Sequence, residues 1–235
     1  MSQNTDNIIQ DIFSRIPKTY DLINRILTLG LDVSWREKAA KIAFQSGGEK
    51  WLDVCSGTGD MAGALARMAK PRTKIIGVDF CLPMLSQAVK KPEYSGISFC
   101  VSDAGCLPFS DNTFDVITIA FATRNLNSSG QDMLLQRFRE FRRILKPGGR
   151  FINLETSQPK SPLLKRLVHF YIWLMVKPIG YLISGSKTAY GYLARSIPRF
   201  FSAEELTKVL YRSGFAKVDF ILLSFGVSAI HIAIK

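Results

Sequence analysis

A short segment of the chain has residue types and a spacing that suit the binding of a charged small molecule. Residues 50–60 read KWLDVCSGTGD, an apolar run followed by Gly57 and Gly59, with Asp53 four positions before the first glycine. Glycine has no Cβ, so a turn at these positions can bend tightly and lie close to a ligand. A helix that begins near Thr58 would point its free N–H groups at the same ligand. We therefore expect this segment to bind a nucleotide-type ligand.

The acidic residue before the turn indicates which ligand fits. A carboxylate at Asp53 would attract an ammonium or a sulfonium group and would repel a pyrophosphate. An amino acid moiety, with its ammonium at Asp53 and its carboxylate at the helix N–H groups, therefore suits the turn, and S-adenosylmethionine carries one. Gly57, Gly59 and Ala62 also match the dinucleotide fingerprint, with Asp79 about twenty residues further on. A small nicotinamide-dependent reductase stays an alternative, although no catalytic Tyr-x-x-x-Lys pair is evident.

Alternating strand and helix patterns predict the elements that must position this turn. Apolar runs of strand length are KWLDV, TKIIGVDF, ISFCVSDA, FDVITIAF and RFINLE, and helical patterns cover Gly59–Ala69, Leu82–Lys91 and Gln131–Leu145. This alternation predicts a parallel sheet with helices on both faces. The stretch KPGG, residues 146–149, should stop the third helix before the fifth strand.

The C-terminal residues predict the closing part of the sheet. The runs AKVDFILLSF and VSAIHIAIK are separated only at Gly226, which predicts an antiparallel hairpin. The fold class we expect is α/β: a doubly wound, Rossmann-like, mostly parallel seven-stranded sheet with this hairpin and with additional N-terminal and mid-chain helices.

Three further residues stand at strand ends, where ligands collect in such a sheet. Asp79 ends the second run and can accept hydrogen bonds from both hydroxyls of a ribose. Asp103 and Ala104 follow the third run, where the carboxylate can take an adenine amino group and the Ala104 N–H can meet a ring nitrogen. A single acid at a strand end is also a common turn or helix cap. The ordered set, with Asp53 and the glycine turn, favours a ligand site.

Composition and charge narrow the class of protein. The 235 residues fit one domain, and the four cysteines and two histidines show no metal-ligand spacing, so we expect no metal. The N-terminus lacks a secretory pattern, which predicts a cytoplasmic protein.

The net charge is +12, and Glu155 is the single acid between Arg142 and Arg199. Such a basic face suits nucleic acid or an anionic lipid surface, or is solvated without a partner.

Two segments lie outside the alternating scheme. Asn4 to Phe44 reads as helices around a break at Pro17. Ser161 to Gly185 contains LVHFYIWLMV and IGYLIS, separated by Lys177 and Pro178. We expect this apolar run to be too short and too interrupted for a membrane span. We expect a packed helix or lid, or a helix lying at a bilayer interface.

Longer motifs connect this site to a known family. They are YDLINRILTLGLDVSWR at residues 20–36, DNTFDVITIAFATRN, RRILKPGGR, NLETSQP, SIPRFFSAEEL and FGVSAIHIAIK. With these motifs the chain resembles the class I S-adenosylmethionine-dependent methyltransferases and, more narrowly, the quinone C-methyltransferases that make menaquinone and ubiquinone. The resemblance spans almost the whole chain. Two positions depart from the family pattern: Asp32 stands in place of a histidine and Ala122 in place of a glycine.

The resemblance implies a reaction and roles for particular residues. A methyl group would pass from S-adenosylmethionine to a ring carbon of a polyprenylated quinol, most closely demethylmenaquinol, or also a ubiquinone precursor, without a metal. Arg124 would stabilise the phenolate, and a water held by Arg124 and Asn125 would take the proton. Tyr20 and Asp21 would orient the quinol or close over it. For Arg124 the alternative is a structural salt bridge at a strand end.

Other functions and the partners complete the expectations. Methylation of another lipophilic phenol or of RNA, and a non-catalytic lipid carrier, remain alternatives; no base-holding N-P-P-Y motif is visible, so no nucleic acid is expected. We expect peripheral contact with the inner face of an anionic cell membrane, and a homodimer is left open. We expect one domain, with residues 1–46 as a helical cap, 50–155 as the donor-binding core, 160–200 as a substrate- or membrane-facing insertion, and 202–235 as the final helix and hairpin.

Overall fold

A computed structural model describes residues 9–235, apart from the side chain of Lys187. Its strands are β1 Lys50–Val54, β2 Lys74–Asp79, β3 Ile97–Val101, β4 Phe114–Ala120, β5 Leu145–Thr156, β6 Lys217–Leu223 and β7 Ser228–Ile234. Its helices are α1 at residues 9–14, α2 Tyr20–Leu27, α3 Leu31–Ser46, α4 Asp60–Met68, α5 Leu82–Ala88, α6 Thr123–Leu126, α7 Gln131–Ile144, α8 Pro162–Ser184, α9 Lys187–Ser196 and α10 Ala203–Arg212. Residues 4–8 of the predicted N-terminal helices, and residues 1–8 of the expected cap, lie outside the described part.

The strands form one seven-stranded sheet in the order β3-β2-β1-β4-β5-β7-β6. Strands β1 to β5 are parallel, and β7 inserts antiparallel between β5 and β6. The predicted doubly wound sheet and C-terminal hairpin are confirmed. The strand order reverses between β1 and β4, where a crevice opens at the carboxyl ends of the strands.

Apolar side chains cover both faces of the sheet and also a third region. One cluster joins β4 and β5 to α7 and α10, with Phe138, Phe141 and Phe151 fully buried. A second cluster packs α3 and α4 on the other face. The third cluster lies over the carboxyl edge and joins the N-terminal helices to α8 and α9 through Ile23 and Tyr190. This third cluster covers the crevice at the carboxyl ends of the strands.

The predicted stop between the third helix and the fifth strand is wrong in detail. Helix α7 ends at Ile144, and β5 begins at the next residue, Leu145, which pairs with Phe114. Pairing then shifts and resumes between Arg150 and Val116, so residues 146–149 protrude as an irregularity of β5. The breaker residues therefore bend a strand instead of separating two elements, because the paired residues on both sides hold the strand in the sheet.

The expectation that residues 161–185 are too short and interrupted to span a membrane is also wrong. Helix α8 runs through Pro178 for 23 residues and, within the described chain, is a helix long and apolar enough to cross a membrane by length and composition alone. One side of α8, with Ile172, Val176 and Gly180, is buried. At Gly180 it packs so closely on α9 that an added Cβ would lie 2.0 Å from Cγ of Tyr190. The opposite side exposes Leu163, Leu167, Phe170, Trp173, Leu174 and Leu182.

Candidate functional site

A cleft of about 1000 Å³, measured to its open mouth, lies over the carboxyl ends of β1 to β4. We call it the donor cleft. Residues of the predicted ligand site that line it are Gly57, Thr58, Asp79, Asp103, Ala104, Asn125 and Tyr20. The structure thus brings residues from five separate sequence segments to one wall, as the sheet topology predicts.

The glycine turn takes backbone conformations that L-residues avoid. Gly57 has φ of 56° and Gly59 has φ of 84°. At Gly59 a Cβ would also lie only 3.0 Å from the Tyr94 ring, so both backbone conformation and space favour glycine there. Gly59 precedes α4, and the first N–H groups of that helix start beside the cleft.

Asp79 is positioned by backbone hydrogen bonds at the end of β2. Its Oδ1 accepts from the Cys81 N–H at 2.8 Å and its Oδ2 from the Gly57 N–H at 2.9 Å. Burial raises the pKa of Asp79 to about 6, against the lowering effect of these bonds. A carboxylate has about four acceptor positions, so Asp79 keeps acceptor capacity for a ligand hydroxyl beside its backbone bonds.

The structure does not bring Asp53 to the cleft wall. Its two oxygens accept hydrogen bonds from the Ser56 and Thr118 hydroxyls, both at 2.7 Å, and its side chain lies inside the sheet. Burial raises its pKa to about 6. Asp53 is therefore not placed to contact a ligand ammonium directly. Its carboxylate instead stabilises the turn through the hydrogen bond from Ser56.

Asp103 and Ala104 lie where the sequence predicts. Asp103 lines the cleft and also caps its own turn, accepting from the Gly105 N–H at 2.7 Å. Ala104 is buried beside it. The turn-capping alternative for Asp103 is therefore present, and its role toward a ligand stays a prediction.

Asp21 takes a different position from the one expected. Asp21 does not line the donor cleft. Its Oδ1 accepts from the Thr58 hydroxyl at 2.5 Å, and its Oδ2 pairs with Lys91 Nζ at 2.8 Å. Lys91 also pairs with Asp60 at 2.9 Å. Burial lowers the pKa of Lys91, but hydrogen bonds to Asp21 and Asp60 outweigh it and raise the pKa. This network, which we call the cap clamp, ties α2 to the glycine turn.

A second, more apolar cavity of about 1340 Å³ adjoins the donor cleft. We call it the acceptor cavity. Tyr20, Arg36 and Phe121 line both spaces, so the two meet at these three side chains. Phe121 directly follows β4 with φ of 57°, an unfavourable conformation for an aromatic residue, and Arg36 Cζ lies 5.0 Å from its ring centroid. Burial raises the pKa of Tyr20.

Arg124 lines the acceptor cavity, and it is held by an ion pair. Its Nη1 lies 3.2 Å from Glu155 Oε1, and its backbone N–H donates to Glu155 Oε2 at 3.0 Å. Both side chains are buried, and within the described chain Arg124 Nε has no hydrogen-bond partner. The salt bridge considered for Arg124 is therefore present.

Asn125 follows Arg124 but faces the donor cleft, and its Oδ1 accepts from Tyr192 Oη at 3.3 Å. The structure therefore does not bring the side chains of Arg124 and Asn125 to one cavity. A helix turns about 100° per residue, so successive residues point in different directions. A single water held by both is not supported by this placement.

Sequence reasoning named three residues near these two spaces without predicting their surroundings. Glu155 orients Arg124, and its isolation in a basic stretch was the available signal. Asp32, where the family pattern has histidine, is buried and paired with both Arg25 and Arg36. Two guanidinium groups thus compensate this carboxylate. Ala122, the other departure, has φ of −119° and needs no glycine.

The walls of the donor cleft fit S-adenosylmethionine chemically. The Asp79 carboxylate, held by backbone N–H groups, can accept hydrogen bonds from hydroxyls. The glycine turn and the start of α4 offer N–H groups, and apolar side chains line the rest of the cleft. Across the described residues, no group of three or more His, Cys, Asp or Glu side chains could hold a metal ion.

Comparisons with known proteins agree with this site. The model of the ubiE/COQ5 methyltransferase family matches residues 1–235. A demethylmenaquinone methyltransferase of Chlorobaculum parvum is 38% identical over 97% of this chain and 92% of its own, and one of Thermus thermophilus is 38% identical over 94% and 98%. A ubiquinone/menaquinone biosynthesis C-methyltransferase of Geobacter sulfurreducens is 39% identical over 95% and 86%.

Solved structures show the same fold at lower identity. An S-adenosylmethionine-dependent methyltransferase of Thermotoga maritima is 20% identical, with a TM-score of 0.66 over 96% of this chain and 99% of its own. An S-adenosylmethionine-dependent methyltransferase from Methanococcus maripaludis gives a TM-score of 0.60 at 20% identity, over 92% and 91%. The fold is that of the class I methyltransferases, and the chain belongs to the ubiE/COQ5 methyltransferase family.

Proposed function

We propose that the protein is an S-adenosylmethionine-dependent C-methyltransferase of polyprenylated quinols, with demethylmenaquinol as its substrate and menaquinol as its product. One observation carries this proposal: the donor cleft, with Asp79 and Asp103 in its wall, and the more apolar acceptor cavity meet at Tyr20, Arg36 and Phe121. An aromatic ring at this junction would face the donor while its apolar tail lies in the acceptor cavity. The relatives named for demethylmenaquinone or for ubiquinone and menaquinone support the same substrate class.

Residues of the donor cleft would bind and orient the donor, which supplies an electrophilic methyl group on its sulfonium sulfur. Asp79 accepts the two ribose hydroxyls, and Asp103 with Ala104 recognises the adenine. The turn from Gly57 to Gly59 presents backbone N–H groups to the amino acid end. Asp53 acts indirectly, because its hydrogen bond from Ser56 holds the turn in place.

Arg124 would favour the reactive form of the quinol. A quinol hydroxyl has a phenol-like pKa near 10 by analogy with tyrosine, so little phenolate forms at neutral pH without help. A buried guanidinium beside the oxygen stabilises the negative charge that makes the neighbouring ring carbon nucleophilic. Glu155 holds the guanidinium in position.

Helix α8 would bring the enzyme to its substrate at the inner face of the cell membrane. Its exposed apolar side chains lie beside Lys165 and Arg166, a combination that favours an anionic lipid surface. The same helix lines the acceptor cavity through Ile172 and Val176. The protein would therefore be cytoplasmic and peripheral, with the cavity covered by the helix that touches the bilayer.

We also propose that the chain works as a single methyltransferase domain. Residues 1–46 would form its cap and residues 160–200 its substrate- and membrane-facing part. Homodimer formation is a separate expectation, which light scattering of the purified protein would measure.

The function is tested in cells and with purified protein. Cells lacking the protein should accumulate a quinone one methyl group short, identified by mass analysis of extracted lipids. Purified protein should methylate demethylmenaquinol under anaerobic conditions, and a ubiquinone precursor offered separately decides whether it serves both pathways. If neither quinol is methylated and no such quinone accumulates, the quinol proposal fails and another lipophilic phenol or RNA becomes the acceptor to test.

A further inference from the structure

His169 lines the acceptor cavity from α8 and has no part in the mechanism above. The chain has two histidines, and the other, His231, is buried in β7 with Nε2 2.9 Å from the Ala203 carbonyl oxygen. Gln158, in the loop after β5, also lines the cavity, and its Oε1 lies 2.8 Å from His169 Nε2. The pair places a titratable group in a largely apolar space.

The amide of Gln158 determines which nitrogen of His169 carries the proton. Gln158 Nε2 donates to the Ile197 carbonyl oxygen at 3.0 Å, which leaves the amide oxygen facing the imidazole. An amide oxygen only accepts, so neutral His169 must be protonated at Nε2 and must carry a lone pair on Nδ1. Burial and then the charge of Lys165 lower the pKa of His169 from 6.5, so the ring is neutral at pH 7.

The pair shares the acceptor cavity with Arg124. Arg124 lines this cavity from α6, and His169 and Gln158 line it from α8 and from the loop after β5. The two oxygens of a quinol stand on opposite carbons of its ring. A quinol in this cavity can therefore place one oxygen at Arg124 and direct the other toward the His169 pair.

We propose that His169, held by Gln158, selects the reduced quinol against the oxidised quinone. Nδ1 accepts a hydrogen bond from the quinol hydroxyl that is remote from Arg124. A quinone carbonyl has no hydrogen to donate, so its oxygen would face a lone pair and leave two polar atoms unpaired. Sites built for a hydroxyl reject analogues that lack it, because the unpaired groups keep their desolvation cost. The inference rests on the proposed function and adds the side chain that distinguishes the reduced from the oxidised form of the substrate.

Protonation of His169 reverses the preference. An imidazolium carries a hydrogen on Nδ1, which would donate to a quinone carbonyl. The charged or titratable groups near His169 are Lys165 and Tyr171 on α8, Tyr20 on α2, Asp32 and Arg36 on α3, and Arg124 with Glu155 across the cavity. Asp32 and Glu155 are ion-paired, so the selectivity should follow His169 as the pH falls below its pKa.

Two substitutions distinguish the roles of Nδ1 and Nε2 of His169. His169→Gln places an amide at the level of Nε2, where it can keep the bond to Gln158, but leaves no acceptor at the level of Nδ1. His169→Asn places its amide oxygen at the level of Nδ1 and gives up the bond to Gln158. Binding of a short-tailed demethylnaphthoquinol and of its quinone is measured anaerobically, with the full chain saturated by S-adenosylhomocysteine and the fold checked by thermal unfolding.

We expect the wild type to bind the quinol at least tenfold more tightly than the quinone at pH 7.5, with the preference falling as the pH approaches 5. His169→Gln should lose the preference at every pH, and His169→Asn should keep part of it without pH dependence. A folded His169→Gln variant with the wild-type preference would overturn the inference. If the wild type methylates a quinol but binds both redox forms equally, the inference fails alone; if it methylates no quinol, the proposed function fails and this inference with it.

Discussion

Asp79 shows how one side chain serves both the fold and the ligand. It holds the glycine turn through the Gly57 N–H and leaves acceptor positions open in the donor cleft. Each hydrogen bond to a charged group contributes roughly 1.5 to 3 kcal/mol. We therefore expect Asp79→Ala to weaken donor binding at least tenfold by titration calorimetry. Unchanged affinity in a folded variant would remove Asp79 from the site.

The raised pKa of Asp79 makes donor binding depend on pH. Burial raises this pKa to about 6, so the carboxyl becomes protonated as the pH falls through that value and loses acceptor capacity. Affinity for S-adenosylhomocysteine should thus be constant above about pH 7 and decline toward tenfold per pH unit below 6. Asp53 has the same pKa but does not line the cleft. The Asp79→Asn variant, which cannot titrate there, should show weaker and flatter binding; an equal slope would assign the effect elsewhere.

Arg124 is expected to act on turnover and not on donor affinity. Arg124→Ala should lower kcat roughly 10²- to 10³-fold, as for loss of a group that stabilises transition-state charge. The same change leaves Glu155 buried without its partner and lowers stability. Adding Glu155→Gln should restore stability but not kcat, and Arg139→Ala on the exposed side of α7 is the matched control. Equal turnover in Arg124→Ala and wild type would exclude the role.

At the scale of elements, the cap clamp couples helix α2 to the glycine turn. Lys91 sits between the carboxylates of Asp21 and Asp60, and all three side chains are at most 30% exposed. Lys91→Met leaves both acids near each other and should lower the free energy of unfolding by about 1 to 2 kcal/mol in urea. Lys90→Met, at the exposed neighbouring position, should have little effect. Similar losses in both variants would show that the clamp does not stabilise the cap.

Helix α8 is the element we expect to touch the membrane. The protein should float with anionic liposomes at low salt and less at high salt, because salt screens the charges. Lys165→Glu with Arg166→Glu should reduce flotation and leave activity on a short-tailed quinol intact. Lys70→Glu with Arg72→Glu makes the same charge change in the connection before β2, on the opposite edge of the sheet, and should float like wild type. If wild type never floats, α8 is a packed lid only.

For the whole molecule, the donor should stabilise a fold whose cap and core both surround it. A ligand that binds only the native state at about 100 times its Kd adds about 2.7 kcal/mol to the free energy of unfolding. S-adenosylmethionine should therefore raise the Tm in a concentration-dependent way, and NADH and NADPH should not. Stabilisation by a nicotinamide nucleotide instead would support the reductase alternative.

Local patterns were sufficient for the architecture because sheet and helix periodicities are properties of short segments. The alternating runs predict the parallel strands, and the closely spaced final pair predicts the hairpin. Strand ends then place Asp79, Asp103 and the glycine turn at one edge, since parallel strands share their carboxyl ends. The donor cleft could therefore be located from the sequence.

Tertiary structure decided which way the polar side chains at that edge face. Asp53 turns inward because Thr118 reaches it from β4, 65 residues away along the chain. Asp21 joins the cap clamp because Lys91 approaches from a segment 70 residues further on. Arg124 depends on Glu155, and no spacing in the sequence indicates that pair. Sequence by itself determined the fold and the donor turn; long-range ion pairs and hydrogen bonds, which form only when distant segments pack together, decided the roles of the charged residues around them.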